Sequence, residues 1–138
     1  MSAKPARETI FLEAAPYLLV DDVFATAAYY RDVLGFGFEN FFGDPPSFVI
    51  VRRNAARIMF RQVPESARPA PQPNTDKFAE TFDAYIWVSD VSRLADEVRA
   101  HGGEIVGGLH DVDDRPFFVV RDLNGYRIAF GRVLSWPN

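Results

Sequence analysis

The 138-residue sequence contains no cysteine and only two histidines. Disulfides, thiolate nucleophiles and cysteine-based zinc sites are therefore excluded, as is any three-histidine metal site within one chain. Positive charge is also scarce. Fifteen Lys and Arg residues stand against 19 Asp and Glu, a net charge of −4, which leaves no electrostatic footprint for a phosphate backbone, so nucleic acid is not an expected partner. No apolar run approaches the roughly 20 residues of a membrane span, and Glu8 and Glu13 interrupt the one amino-terminal stretch with leader-like apolar character. No membrane association is expected, and the cytoplasm is the default location. Apolar surface, by contrast, is plentiful. Hydrophobic residues make up 48% of the chain and aromatics 14%, with 13 Phe, five Tyr and two Trp. A chain of this length builds one domain, spanning 1–138, with a single core and apolar surface to spare for a cavity.

The chain repeats itself. Tyr17 to Gly35 aligns without a gap on Tyr85 to Gly103 at an offset of 68 (85 − 17), with Tyr, Val, Asp, Ala, Arg and Gly coinciding. A second block, Phe48 to Phe60, aligns on Phe118 to Phe130 at an offset of 70 (118 − 48), with Phe, Val, Asn, Arg and Ile coinciding. Two blocks in the same order at nearly the same offset indicate one duplicated module. Module one is expected over 14–62 and module two over 81–133, with a proline-rich linker of near-nil helix content over 63–80.

Each module reads as strand, helix, then three strands. A short apolar run, 16–20 or 84–88, precedes Asp22 or Asp90, whose carboxylate can accept from first-turn N–H groups and start a helix. Apolar residues then recur at helical spacing: Val23, Ala27, Tyr30 and Leu34, or Val91, Leu94, Ala95 and Val98. Gly35 and Gly102-Gly103 suit helix termination. Two alternating strands follow around Asn54-Ala55 in one copy and around Asn124-Gly125 in the other, the latter a type I′ hairpin signal.

Two such modules, with the segment Tyr-Tyr-Arg-Asp-Val-Leu-Gly-Phe (29–36) and the turn Asp-Leu-Asn-Gly-Tyr (122–126), closely resemble the glyoxalase/bleomycin resistance/dioxygenase superfamily, the vicinal oxygen chelate fold. The resemblance implies an α+β fold of two tandem βαβββ modules with curled mixed sheets, and commonly a homodimer. In metal-dependent members the metal ligands come from the first and last strand of each module. Carried over position by position, those sites fall on Ala15, Met59, Asp83 and Ala129. A methyl group or thioether cannot replace the His, Gln or Glu required there, so the resemblance implies neither metal nor other cofactor.

Strand alternation places Ala15, Tyr17 and Leu19 on the concave face with Asp83, Tyr85 and Trp87. Counting outward from the two turns adds Phe48, Ile50, Arg52, Arg57, Met59 and Arg61, and in module two Phe118, Val120, Asp122, Arg127 and Ala129. Val49, Val51, Ile58, Phe60, Val119, Ile128 and Phe130 are expected under the helices. Asp122 is expected to pair with Arg127 across the hairpin, and neither His101 nor His110 is expected on the concave face. The parity of 36–42 is open, with Phe38 a candidate for the cavity. The expected ligand-binding set is thus Tyr17, Phe38, Phe48, Ile50, Met59, Arg61, Asp83, Tyr85, Trp87 and Phe118, the makeup of a small-molecule pocket with apolar walls and a few polar groups.

The charges point both ways: Arg52, Arg57 and Arg61 favour an anion, whereas Asp111, Asp113 and Asp114 favour a cation. The resemblance implies a metal-independent protein that sequesters an aromatic or antibiotic-like ligand at a dimer interface. The alternatives are a glyoxalase-like lyase or dioxygenase, and a metal-free enzyme using Asp83, Tyr85 or an arginine as acid or base.

Overall fold

A computed structural model describes residues 8–70, 73, 82–112 and 115–132, with the side chain of Val112 excepted. The first repeat runs β1 (Tyr17–Val20), α1 (Val23–Asp32), β2 (Phe41–Phe42), β3 (Phe48–Arg53) and β4 (Ala56–Gln62). The second runs β5 (Ala84–Val88), α2 (Val91–Ala100), β6 (Glu104–Val112), β7 (Arg115–Arg121) and β8 (Arg127–Arg132). Each forms a four-stranded mixed sheet with the same topology, β1-β4-β3-β2 and β5-β8-β7-β6. The first strand of each repeat pairs in parallel with the last, and the remaining pairs are antiparallel. This is the expected α+β architecture.

Both helices start as their sequences dictate. Asp22 Oδ1 accepts from the Ala25 N–H and Asp90 Oδ1 from the Arg93 N–H, each at 3.0 Å, which satisfies a first-turn donor with no intrahelical partner. Val23, Ala27 and Tyr30 from α1 and Val91, Ala95 and Val98 from α2 are buried against one face of their sheets. Val49, Val51, Ile58, Phe60, Ile128 and Phe130 complete that core. The linker holds one short 3-10 turn at Glu65–Ala67, a small departure from the expected absence of helix. Residues 71, 72 and 74–80 of the linker, residues 81 and 133 at the ends of module two, and Asp113 and Asp114 of the acidic turn lie outside the described residues.

The repeats are tied together by their hairpin tips. Arg53, at the β3–β4 tip, reaches α2 through Glu97 at 2.6 Å and donates to the Leu34 carbonyl at 3.0 Å. The β7–β8 tip docks reciprocally on α1: Tyr30 donates to Asp122 Oδ2 at 2.7 Å, and Asn124 Nδ2 donates to Thr26 Oγ1 at 3.0 Å. The Tyr126 hydroxyl donates to the Leu19 carbonyl. Among the described residues no helix is long and apolar enough to cross a membrane.

Candidate ligand-binding face

In the first sheet the register places Tyr17 opposite Met59, Met59 opposite Ile50, and Arg61 opposite Phe48. Directly opposed strand residues share a face, so Tyr17, Phe48, Ile50, Met59 and Arg61 lie together on the side away from α1, as expected. In the second sheet Tyr85 is opposite Ala129 and Trp87 opposite Gly131. Tyr85, Trp87 and Ala129 therefore share the face away from α2.

Phe118 does not join them. It is opposite Phe130, is fully buried, and stacks on the Phe130 ring at 5.3 Å beneath α2. Val120 follows it into the core, whereas Val119 moves to the open face opposite Ala129. The cause is the turn. In the first repeat Arg53 pairs with Ala56, leaving a two-residue loop. In the second, Arg121 pairs with Arg127 and five residues loop out. Asp122 is responsible, because its Oδ1 accepts from the N–H groups of Asn124 at 2.8 Å and Tyr126 at 2.9 Å. A side-chain acceptor thus replaces the ladder bonds that a tight Asn-Gly turn would make. The pairing shifts by one residue, and a one-residue shift turns every β7 side chain to the other face.

The same turn removes Asp122 from the surface. Instead of pairing with Arg127, it is 5% exposed and held by Tyr30. Burial pushes its carboxyl up to about 6, against the opposing pull of the Tyr30 hydroxyl and the two backbone N–H groups. Burial first, and then the charge of Asp122, raises Tyr30 well above the ordinary phenol value.

Two further residues reach the open face. His110, expected in an irregular stretch away from it, lies in β6 opposite Phe117 and stacks on that ring at 5.1 Å. Phe117 is opposite Gly131, the partner of Trp87, so all four share one face. A register break between Val106 and His110, across Gly107-Gly108, brings His110 there. Phe42 is opposite Phe48 and is 50% exposed. Its neighbour Phe41 turns inward to the Phe24 ring at 4.5 Å. Phe38 packs on the core and on Phe41, and with Phe42, Ile50, Arg52 and Arg57 lines a depression of 430 Å³.

The open faces are aromatic and only partly covered. Tyr17 is 50% exposed and Trp87 63%. Tyr17 stacks on Phe48 at 6.0 Å, while Phe82, Tyr85 and Trp87 form a separate row at 5.5 and 4.9 Å. Among the described residues no ring contact joins the two groups. Tyr85 lies over Gly131, its hydroxyl occupying the place a Cβ would take. A larger cavity of 490 Å³ lies between α2 and the β3–β4 tip, with Trp87 and Arg93 also among its lining residues. Its Arg53 and Glu97 satisfy one another and its Asp90 caps α2, whereas the open faces carry the exposed rings of Tyr17 and Trp87.

The donor set does not fit a metal. Met59 faces Tyr17 and Ile50, and Ala129 is fully buried. Asp83 Oδ2 accepts from the Arg127 N–H at 2.9 Å. Among the described residues no three His, Cys, Asp or Glu side chains are grouped to hold an ion.

The family model of the Glyoxalase/Bleomycin resistance protein/Dioxygenase superfamily matches residues 11–130, and the chain belongs to that superfamily. Among solved structures it is similar to the bleomycin-binding protein of bleomycin-producing Streptomyces verticillus, crystallised with copper(II)-bleomycin. That likeness has 25% identity and a TM-score of 0.68, covering 91% of this chain and 98% of that one. TioX from Micromonospora sp. ML1 has 22% identity and a TM-score of 0.69, covering 90% and 100%. The bleomycin resistance determinant encoded on transposon Tn5 has 18% identity and a TM-score of 0.65, covering 91% and 100%. Comparison with curated proteins gives no match.

Proposed function

We propose that this protein binds an aromatic or antibiotic-like small molecule on the open faces of its sheets, without a metal ion, and works as a homodimer. The carrying observation is the pairing of exposed aromatics with unsuitable metal donors. Tyr17 and Trp87 are at least half exposed on the same faces whose ligand-equivalent positions hold Met59 and Ala129. Exposed aromatic surface of this kind marks a binding face, and flat apolar rings beside a few placed polar groups suit a ring-bearing ligand. The similarity to a bleomycin-binding protein supports the ligand class. A second copy would cover faces that no described element of this chain covers.

The test is a thermal-shift screen against bleomycin, with and without copper, and a panel of aromatic metabolites. A ligand that binds only the native state raises the melting midpoint further as its concentration grows. At least one such ligand is expected, together with a dimeric mass in light scattering at micromolar protein. Stoichiometric metal in the purified protein, with turnover of a glyoxalase or dioxygenase substrate lost on chelation, would overturn this reading in favour of a metalloenzyme. A monomeric mass would remove the homodimer.

A further inference from the structure

The geometry points to the sign of the ligand's charge: the open face of the first sheet takes a ring-bearing carboxylate, its oxyanion on Arg61 and its ring against Tyr17 and Phe48. This inference rests on the small-molecule reading above and narrows it to one chemical class.

Arg61 is held in place by three neutral groups. Its Nε donates to the Tyr17 hydroxyl at 2.9 Å, its Nη1 donates to Ser47 Oγ at 3.2 Å, and its guanidinium carbon lies 5.0 Å from the centre of the Phe48 ring. Among the described residues no partner of Arg61 supplies negative charge, and no carboxylate forms an ion pair with Arg61 or Arg52. Acidic side chains outnumber basic ones in the chain, 19 to 15, so this lack is local rather than compositional. A guanidinium fixed by hydrogen bonds and a ring face has already lost most of its rotamer freedom. Its remaining N–H groups can meet a carboxylate with little further entropic cost.

The neighbouring arginines add to the field. Arg52 and Arg57 are directly opposite across β3 and β4, an unfavourable placement for like charges. Glu13 pairs with Arg57 at 3.0 Å, yet the Arg57 Nε stays buried without an acceptor. Both arginines line the 430 Å³ depression, with Phe42 and Ile50 as apolar wall and Glu39 also among its lining residues. Of the acidic residues that favour a cation, Asp111 is the one described, and it faces elsewhere. Asp111 is next to His110 in β6 and so turns to the other side of the second sheet.

Isothermal titration of the full chain at neutral pH with three probes of one ring system decides the matter: 1-naphthoate, 1-naphthalenemethanol and 1-naphthylmethylammonium. Naphthoate is expected to bind about tenfold tighter than the alcohol, with the ammonium weakest and the naphthoate advantage shrinking as salt is raised. Arg61→Gln should collapse the naphthoate-to-alcohol ratio to about twofold or less, and Arg61→Lys should restore part of it. Should Arg61→Gln lose its native circular dichroism, Arg52→Gln at an exposed position serves, with a smaller drop in the same ratio. An alcohol that binds as tightly as naphthoate, a preference for the ammonium, or a ratio unchanged in both glutamine variants would overturn the charge assignment while leaving small-molecule binding intact. Failure of all three probes to bind would count against both.

Discussion

The hydroxyl of Tyr30 donates to Asp122 Oδ2 at 2.7 Å, joining the first helix to the second repeat's hairpin across 92 residues of chain. Both residues are buried, so the bond cannot be exchanged for one to water. Tyr30→Phe should cost about 1–3 kcal/mol, the usual penalty for leaving a buried acceptor short of a donor. Urea unfolding measures it. A loss below about 0.5 kcal/mol would show that the hydroxyl contributes little to holding the repeats together.

The raised Asp122 carboxyl gives stability a particular pH dependence. Its folded value of about 6 exceeds the ordinary 3.8, so the native state holds a proton that the unfolded chain has released. Stability from this group is fully present below about 3.8 and is lost as the pH rises through about 6. Between pH 4 and 7 the wild type should lose about 2 kcal/mol relative to Asp122→Asn, which cannot ionise. Glu97, held below the usual range by its hydrogen bond to Arg53, has the opposite sign, so only the difference between the two proteins isolates Asp122. Parallel unfolding curves across that range would refute the shift.

Phe117 and Phe118 are adjacent and differ in role. Phe118→Ala empties a core position and should cost about 3–5 kcal/mol. Phe117→Ala, on the open face beside His110, should cost no more than about 1.5 kcal/mol. The reversed order in chemical denaturation would mean that the hairpin closes as a two-residue turn and the β7 faces are exchanged.

Gly131 accommodates the Tyr85 ring. Gly131→Ala should therefore displace that ring and cost about 1–3 kcal/mol through overpacking. In a Tyr85→Ala background the same change should cost under about 0.5 kcal/mol. Equal costs in both backgrounds would place the strain elsewhere.

Much of this arrangement was legible in the sequence because it depends on local rules. The duplicated blocks gave the element order, Asp22 and Asp90 marked the helix starts, and alternation put Tyr17, Met59, Arg61, Tyr85 and Trp87 on the correct face. The β7 face was not legible, since Asn124-Gly125 carries a tight-turn signal and only the docking of Asp122 on Tyr30 shows that a longer loop prevails. That contact joins residues far apart in sequence, and no local pattern encodes it. His110 was missed because the register break at Gly107-Gly108 cannot be counted through by alternation. The side taken by Phe42 stays open in the sequence because a two-residue strand has too few positions to show its parity.

The two hairpin tips and the helices they meet hold the repeats together through Arg53, Glu97, Tyr30, Asp122, Asn124 and Tyr126. None of these side chains lies on the open face of either sheet. The contacts that join the repeats and the proposed binding positions therefore form separate sets, and exchanging Tyr17, Phe48, Arg61 or Trp87 should leave the join intact. A scaffold divided in this way lets the open faces change one residue at a time while its architecture stays the same.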